Sequence, residues 1–178
     1  MNFCSQCGQP VVLRTPPHDD RPRFICDHCG IIHYQNPKIV VGAIPEWGQK
    51  VLLCRRAIEP RYGLWSLPAG YLENGETAAE GARREAYEET RITLGDLDPY
   101  ALFNLAFVSQ IYIMFRSPMI EPDFAPGPES LDVALFTEAA IPWDDLAFTV
   151  IEETLRCYFA DRSRGRFGFH TGDIAPDK

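Results

Sequence analysis

The chain has 178 residues, 46% of them hydrophobic, and a formal charge of −8 from 17 Lys and Arg against 25 Asp and Glu. That length predicts one domain with room for a small appendage, and the apolar share is enough for a buried core. No apolar run approaches a membrane span, and the acidic balance argues against a general nucleic-acid binder, whose affinity rests on Lys and Arg meeting phosphates.

The N-terminus runs straight to Cys4 with no stretch that reads as a signal peptide, so a reducing, cytoplasmic setting is expected. Cys4-Ser5-Gln6-Cys7-Gly8 and Cys26-Asp27-His28-Cys29-Gly30 are two C-x2-C pairs separated by 18 residues, a zinc-ribbon spacing. Each pair is followed by Gly, which permits the tight turn that aims both thiolates at one tetrahedral Zn²⁺. Disulfides are the competing reading, and a reducing compartment disfavours them. Cys4, Cys7, Cys26 and Cys29 already fill a closed structural site, which leaves His28 and His33 as ordinary surface residues. Residues 1–33 are too short, and too rich in Pro16, Pro17, Asp19, Asp20 and Pro22, to bury a core of their own. Zinc is therefore expected to stabilise them as a separate ribbon, followed by a larger domain over 34–178.

Lys38 to Pro45 and Lys50 to Arg55 read as two strands around a turn containing Trp47-Gly48-Gln49. A loop marked by Pro60 and Gly63 follows, and Leu64 to Leu67 leads into Pro68-Ala69-Gly70. Glu76-Thr77 offers a carboxylate and a hydroxyl where a helix should begin, and Ala78, Ala79, Ala82 and Ala86 give that helix a small face for close packing. Tyr100 to Phe107, Gln110 to Phe115 and Leu131 to Phe136 are strand candidates, the last two separated by a proline-rich loop. A second helix is predicted from about Asp144 to Ala160, with Leu146, Val150, Leu155 and Phe159 facing the core. This alternation suggests a layered α/β sandwich. Cys54, in an apolar strand, and Cys157, in the second helix, read as buried free thiols.

The first helix carries the chemistry. At about 100° per residue, Glu85 and Glu89 lie about 40° apart, with Glu88 on the other side of Glu85. One face therefore holds three carboxylates. Like charges at this spacing destabilise a helix by a few tenths of a kcal/mol, so a cation is the economical explanation, and hard oxygen ligands point to Mg²⁺ or Mn²⁺. A solvated acidic face with arginine partners is the plainer alternative for three glutamates taken alone.

The longer run from Gly70 to Ile92, GYLENGETAAEGARREAYEETRI, resembles the box of the Nudix hydrolases, G-x5-E-x7-R-E-U-x-E-E-x-G-U with U aliphatic. Arg91 stands where that pattern has its last Gly, at a helix end where a left-handed residue is favoured. The resemblance implies a mixed sheet between helices, and a reaction in which water attacks one phosphorus of a nucleoside diphosphate linked to another group. It also implies that Glu85, Glu88, Glu89 and the Gly70 carbonyl hold the metal, that Glu76 supports them, and that Arg84 orients the carboxylates by ion pairing. Glu129, in FAPGPESLDVALF, matches the loop glutamate that serves some family members as general base. Homodimers, common in the family, are implied as well.

Outside the box, the zinc ribbon is similar to that of NADH pyrophosphatases, but their Ser-Gln-Pro-Trp-Pro-Phe-Pro run is replaced here by Ser109-Gln110-Ile111-Tyr112. YQNPKIVVG, GLWSLPAGYLENGE, FAPGPESL, IPWDDLAF and FHTG resemble instead the plant chloroplast FAD pyrophosphatases that also act on ADP-ribose. A small dinucleotide or nucleotide-sugar substrate is thus expected, FAD or ADP-ribose first, with release of AMP. Arg55, Arg56 and Arg61 are candidates to meet its phosphates, and Tyr62, Phe103 and Phe107 to stack on its rings, although core packing is the commoner fate of Phe103 and Phe107. The alternatives are hydrolysis of NADH or of capped RNA ends, a ribbon that docks a partner, and a non-catalytic nucleotide sensor.

Overall fold

The computed structural model describes residues 1–176 and divides into two compact units, Met1–Pro37 and Lys38–Lys178. Among the described residues no helix is long and apolar enough to cross a membrane.

In the first unit, strands β1 (Val12–Arg14), β2 (Arg23–Ile25) and β3 (Ile32–His33) form an antiparallel sheet in that order. Both cysteine pairs fold into the same knuckle. The carbonyl of Cys4 accepts from the Gly8 amide at 2.9 Å while the Cys4 amide donates to Gln9; the carbonyl of Cys26 accepts from Gly30 at 2.8 Å while its amide donates to Ile31. Gly8 and Gly30 both sit at positive φ, 73° and 75°, where a side chain would be strained.

The second unit is built on a mixed sheet. Its first hairpin joins β4 (Lys38–Trp47) to β5 (Lys50–Arg56) through Gly48 and Gln49. Next in the chain come β6 (Trp65–Ser66), β7 (Ala69–Tyr71), helix α1 (Ala78–Thr90), β8 (Asp98–Leu105), β9 (Gln110–Pro118), β10 (Ser130–Phe136), helix α2 (Thr149–Arg164) and β11 (His170–Asp173). The order across the sheet is β10-β5-β4-β9-β8-β11, with β9 parallel to β4 and β11 parallel to β8.

Alternation along β4 and β5 divides the core. Val40, Ile44, Val51 and Leu53 join the cluster that receives Val150, Ile151, Leu155, Tyr158 and Phe159 of α2. Val41, Ala43, Leu52 and Cys54 pack instead with Ala82 and Ala86 of α1. The small α1 face predicted from its alanines does lie on the sheet.

Several sequence expectations shift. The second helix begins at Thr149 rather than near Asp144, because Trp143–Asp145 form a separate 3-10 turn. Leu146 consequently packs on the core from outside the helix. Phe107 leaves the strand for a 3-10 turn and is 50% exposed, whereas Phe103 is a core residue. The ribbon strands, β7 and β11 are too short to announce themselves by periodicity.

Candidate active site

Between β4 and β5 only Glu46–Val51 and Trp47–Lys50 pair directly. Farther along, the segment between them enters the gap, with β6 bonding to β5 and β7 bonding to β4. This places Ala69 and Gly70 beside α1. A Cβ on Gly70 would stand inside contact distance of the Glu85 carboxylate, so only Gly allows Glu85 to lie against this backbone.

Helix α1 is fixed at both ends. Thr77 and Glu80 form a capping box, which satisfies two orphan amides reciprocally. At the other end Arg91 takes the left-handed conformation at φ 61°, its amide bonded to the Tyr87 carbonyl at 2.9 Å. The substitution in the box therefore leaves the glycine geometry in place, and Arg91 bears the strain. Its guanidinium lies over the Tyr87 ring, 5.3 Å from the centroid. The loop after β9 closes this end further: the Ala125 amide donates to Thr90 and the Gly127 amide to Glu89, at 3.0 and 2.9 Å. A Cβ on Gly127 would collide with the Glu88 carbonyl. The same loop brings Glu129 to the site.

Arg84 gathers the acidic groups. Its Nε and Nη2 donate to the two oxygens of Glu76 at 3.0 and 2.7 Å, and its Nη1 to Glu85 at 2.7 Å and Glu88 at 3.2 Å. The fork beside Glu76 draws its carboxyl down to about 2, and the Glu76 carboxylate in turn holds the Arg84 guanidinium above its usual range. Glu89 lies deeper, 8% exposed. It accepts from the Ala69 amide at 3.1 Å and from the Cys54 thiol at 3.4 Å, both on Oε2. Burial pushes the Glu89 carboxyl up to about 7, with the neighbouring Glu85 adding to the effect. Glu85 is raised too, by burial against the opposing pull of Arg84.

Glu85, Glu88, Glu89, Arg84, Gly70 and Glu129 all line one cavity of about 710 Å³. Of the three candidate phosphate ligands only Arg56 reaches it. Arg55 is exposed and bonded to the Gly63 carbonyl, and Arg61 lines a separate cleft with Trp143 and Glu152. Trp65 packs edge-on against Phe136 at 4.9 Å. Two further groups of lining residues escaped sequence reasoning. Tyr71 and Tyr112 flank Val40 in one row across β7, β4 and β9, with Gln110 donating to the Tyr71 hydroxyl at 3.0 Å. Elsewhere on the wall, Ile58, Pro60 and Phe148 accompany Arg56, whose guanidinium lies 5.1 Å from the Phe148 centroid. The register of non-adjacent strands brings these together, and no local pattern marks it.

The oxygen donors suit a hard divalent cation: three carboxylates, two of them raised by burial, around a backbone carbonyl that only Gly exposes so closely. Among the described residues, however, only the four ribbon cysteines have ligand atoms all within 4.8 Å of one another. The glutamates are looser because Arg84 draws Glu85 and Glu88 to itself. The ribbon thiols are ready for a tetrahedral ion. Zn–S bonds of about 2.3 Å imply S···S edges of about 3.8 Å, and Cys4–Cys29 and Cys7–Cys26 stand at 3.7 and 3.5 Å. The backbone amide of Cys29 leads in drawing the Cys26 thiol down to about 7. His33, expected to be a plain surface residue, is half-buried with Nε2 3.3 Å from the Cys4 sulfur.

A NUDIX domain model matches residues 36–154, and a Nudix N-terminal zinc-ribbon model matches residues 2–35. The chain belongs to the Nudix hydrolases. A Nudix hydrolase of Nitrosomonas europaea, solved by crystallography, is 51% identical with a TM-score of 0.94, over 98% of this chain and 99% of that one. The NAD-capped RNA hydrolase NudC of Photobacterium profundum is 31% identical over 86% of this chain and 58% of its own length. Its namesake in Stutzerimonas stutzeri is 29% identical over 74% and 46%. This Nudix chain thus spans about half the length of those curated relatives. The Nudix domain of Shewanella oneidensis NrtR, solved with ADP ribose, shares the fold at 21% identity, with a TM-score of 0.61 over 71% of this chain and 90% of that one.

Proposed function

We propose that the chain hydrolyses the diphosphate of a dinucleotide with an AMP half, with FAD and NAD-type dinucleotides favoured over ADP-ribose. The observation that carries this reading is the cavity lining. The carboxylates share one cavity with two ring-bearing surfaces, Tyr71–Tyr112 and Phe148 under Arg56, which is room for a planar group at each end of a diphosphate. ADP-ribose would use one of them.

In this reading Glu85, Glu88, Glu89 and the Gly70 carbonyl hold Mg²⁺ or Mn²⁺, which when bound neutralises the diphosphate and lowers the pKa of a water. Arg84 orients Glu85 and Glu88 by ion pairing, with Glu76 as its anchor. Arg56 is a cation that can meet the substrate's phosphates, with Arg91 also on the cavity wall; the Nε of Arg56 is held by the Pro60 carbonyl at 3.0 Å and its face by Phe148, so the fork is pre-organised. Glu129, exposed on the cavity wall and fixed by the Ala57 amide on its carbonyl at 2.8 Å, accepts the proton of the attacking water. Residues 1–33, closed by structural zinc, form the ribbon domain and 34–178 the catalytic one. The homodimer implied by the family belongs to the same proposal.

The names of the NudC relatives support a second substrate form, an NAD cap on RNA. The acidic charge speaks against binding along a strand and not against a capped end seated in the cavity. The test is hydrolysis by the purified full chain, with Mg²⁺ or Mn²⁺, of FAD, NADH, ADP-ribose and NAD-capped RNA, compared by kcat/KM with products identified. AMP, or RNA with a 5′-monophosphate, is expected, with both dinucleotides ahead of ADP-ribose. Cleavage of none of the four, or a preference for ADP-ribose, would overturn the reading.

A further inference from the structure

Cys54 is 1% exposed in β5, packed with Leu52, Ala86 and Val133. Its sulfur lies 3.4 Å from Glu89 Oε2 and 3.5 Å from the Ser66 carbonyl. A thiol has one proton to give, and the carboxylate is the stronger acceptor because it is charged. The other donor to Oε2 is the Ala69 amide at 3.1 Å. Among the described residues no donor reaches Oε1, although Glu89 lines the cavity.

We infer that Cys54 is a positioning residue of the hydrolytic site, which with the Ala69 amide fixes Oε2 of Glu89 and turns Oε1 to the cavity as the metal-facing oxygen. The inference rests on the proposed role of Glu89 as a metal ligand. A carboxylate held by one N–H can swing about its terminal torsion and present either oxygen. A second donor on the same oxygen removes that freedom, as partners behind metal ligands do. The fold supplies both donors from one place. Cys54 is in register with Ser66 of β6, and the chain reaches Ala69 three residues later. The pair therefore clamps Glu89 between β5 and the segment that presents Gly70.

The experiment measures Mn²⁺ binding to the zinc-loaded, substrate-free full chain by electron paramagnetic resonance of the free ion. Cys54→Ala should raise the Mn²⁺ Kd about tenfold, and Cys54→Ser, which keeps a donor, should stay within about threefold of the parent. Cys54→Val fills the volume without a donor and replaces Cys54→Ala if that variant fails to fold. Unchanged Mn²⁺ affinity in the donor-less variant, or equal weakening with Ser, would overturn the inference, since packing alone would then account for Cys54. Glu89→Gln separates the two levels. If it leaves Mn²⁺ binding intact, the proposed metal site itself falls. If Glu89→Gln weakens binding and Cys54→Ala does not, the role of Cys54 alone is refuted.

Discussion

Glu89→Gln should stabilise the protein in buffer free of Mg²⁺ and Mn²⁺, by an amount that grows as pH rises above 4.5 and levels off above about 7. The carboxyl of Glu89 has an ordinary value of 4.5 in the unfolded chain and is pushed up to about 7 in the folded one, chiefly by burial. Below pH 4.5 the group is protonated in both states and costs nothing. Between 4.5 and about 7 the folded state binds the extra proton, so stability falls as pH rises. Above 7 the folded protein carries a buried charge, and at about 1.4 kcal/mol per pH unit the gap amounts to roughly 3 kcal/mol. Glutamine keeps the shape without the charge and still offers an oxygen to the Ala69 amide, so it should recover most of that amount. The assay is urea unfolding of the zinc-loaded parent and variant from pH 5 to 8. The two curves should lie closest at pH 5 and diverge until about pH 7, above which their separation is constant, and added Mn²⁺ should restore the parent alone. Parallel curves across the whole range would refute the reasoning, because the buried carboxylate would then carry no uncompensated charge.

Arg84→Ala leaves Glu76, Glu85 and Glu88 without their common partner and should lower kcat about ten- to hundredfold. Arg84→Lys should recover little of it in steady-state assays, since an ammonium cannot span Glu76 with two parallel bonds. Arg91→Gly restores an unstrained left-handed cap and should raise stability by about 1 kcal/mol, less whatever the contact with Tyr87 contributes; a loss of stability in urea would show that the contact outweighs the strain. The full chain should contain one Zn²⁺ per molecule, and its removal by a chelator should abolish hydrogen-exchange protection in β1–β3 while that of β4, β5 and β9 persists; retained protection in the ribbon would argue that its fold does not need the ion.

Much of the site was legible along the chain because its parts are local. Glu85, Glu88, Glu89 and Arg84 share one helix, and Gly70 and Glu76 precede it by a fixed count, so helical geometry alone puts the carboxylates on one face. The two knuckles are equally local, each closed by a Gly within four residues of its first cysteine. The apolar runs of β4 and β5 marked both as strands. Phe107 and the start of α2 were misplaced because an aromatic residue in a turn and an apolar segment before a helix carry the same local signal as the elements themselves.

What the chain by itself determined is the box, the ribbon and the sandwich class, since each depends on spacing of a few residues and on which side chains alternate. Only tertiary structure decided the rest of the cavity. Tyr71, Tyr112 and Gln110 meet through β7, β4 and β9, Arg56 is selected over Arg55 and Arg61 by where β5 ends, and Cys54 meets Glu89 across 35 residues. The physical reason is common to all of them: hydrogen-bonded register and layer packing bring together residues whose separation in sequence has no period, so a strand residue read as plain core becomes a partner of Glu89 only when the helix lies down on the sheet.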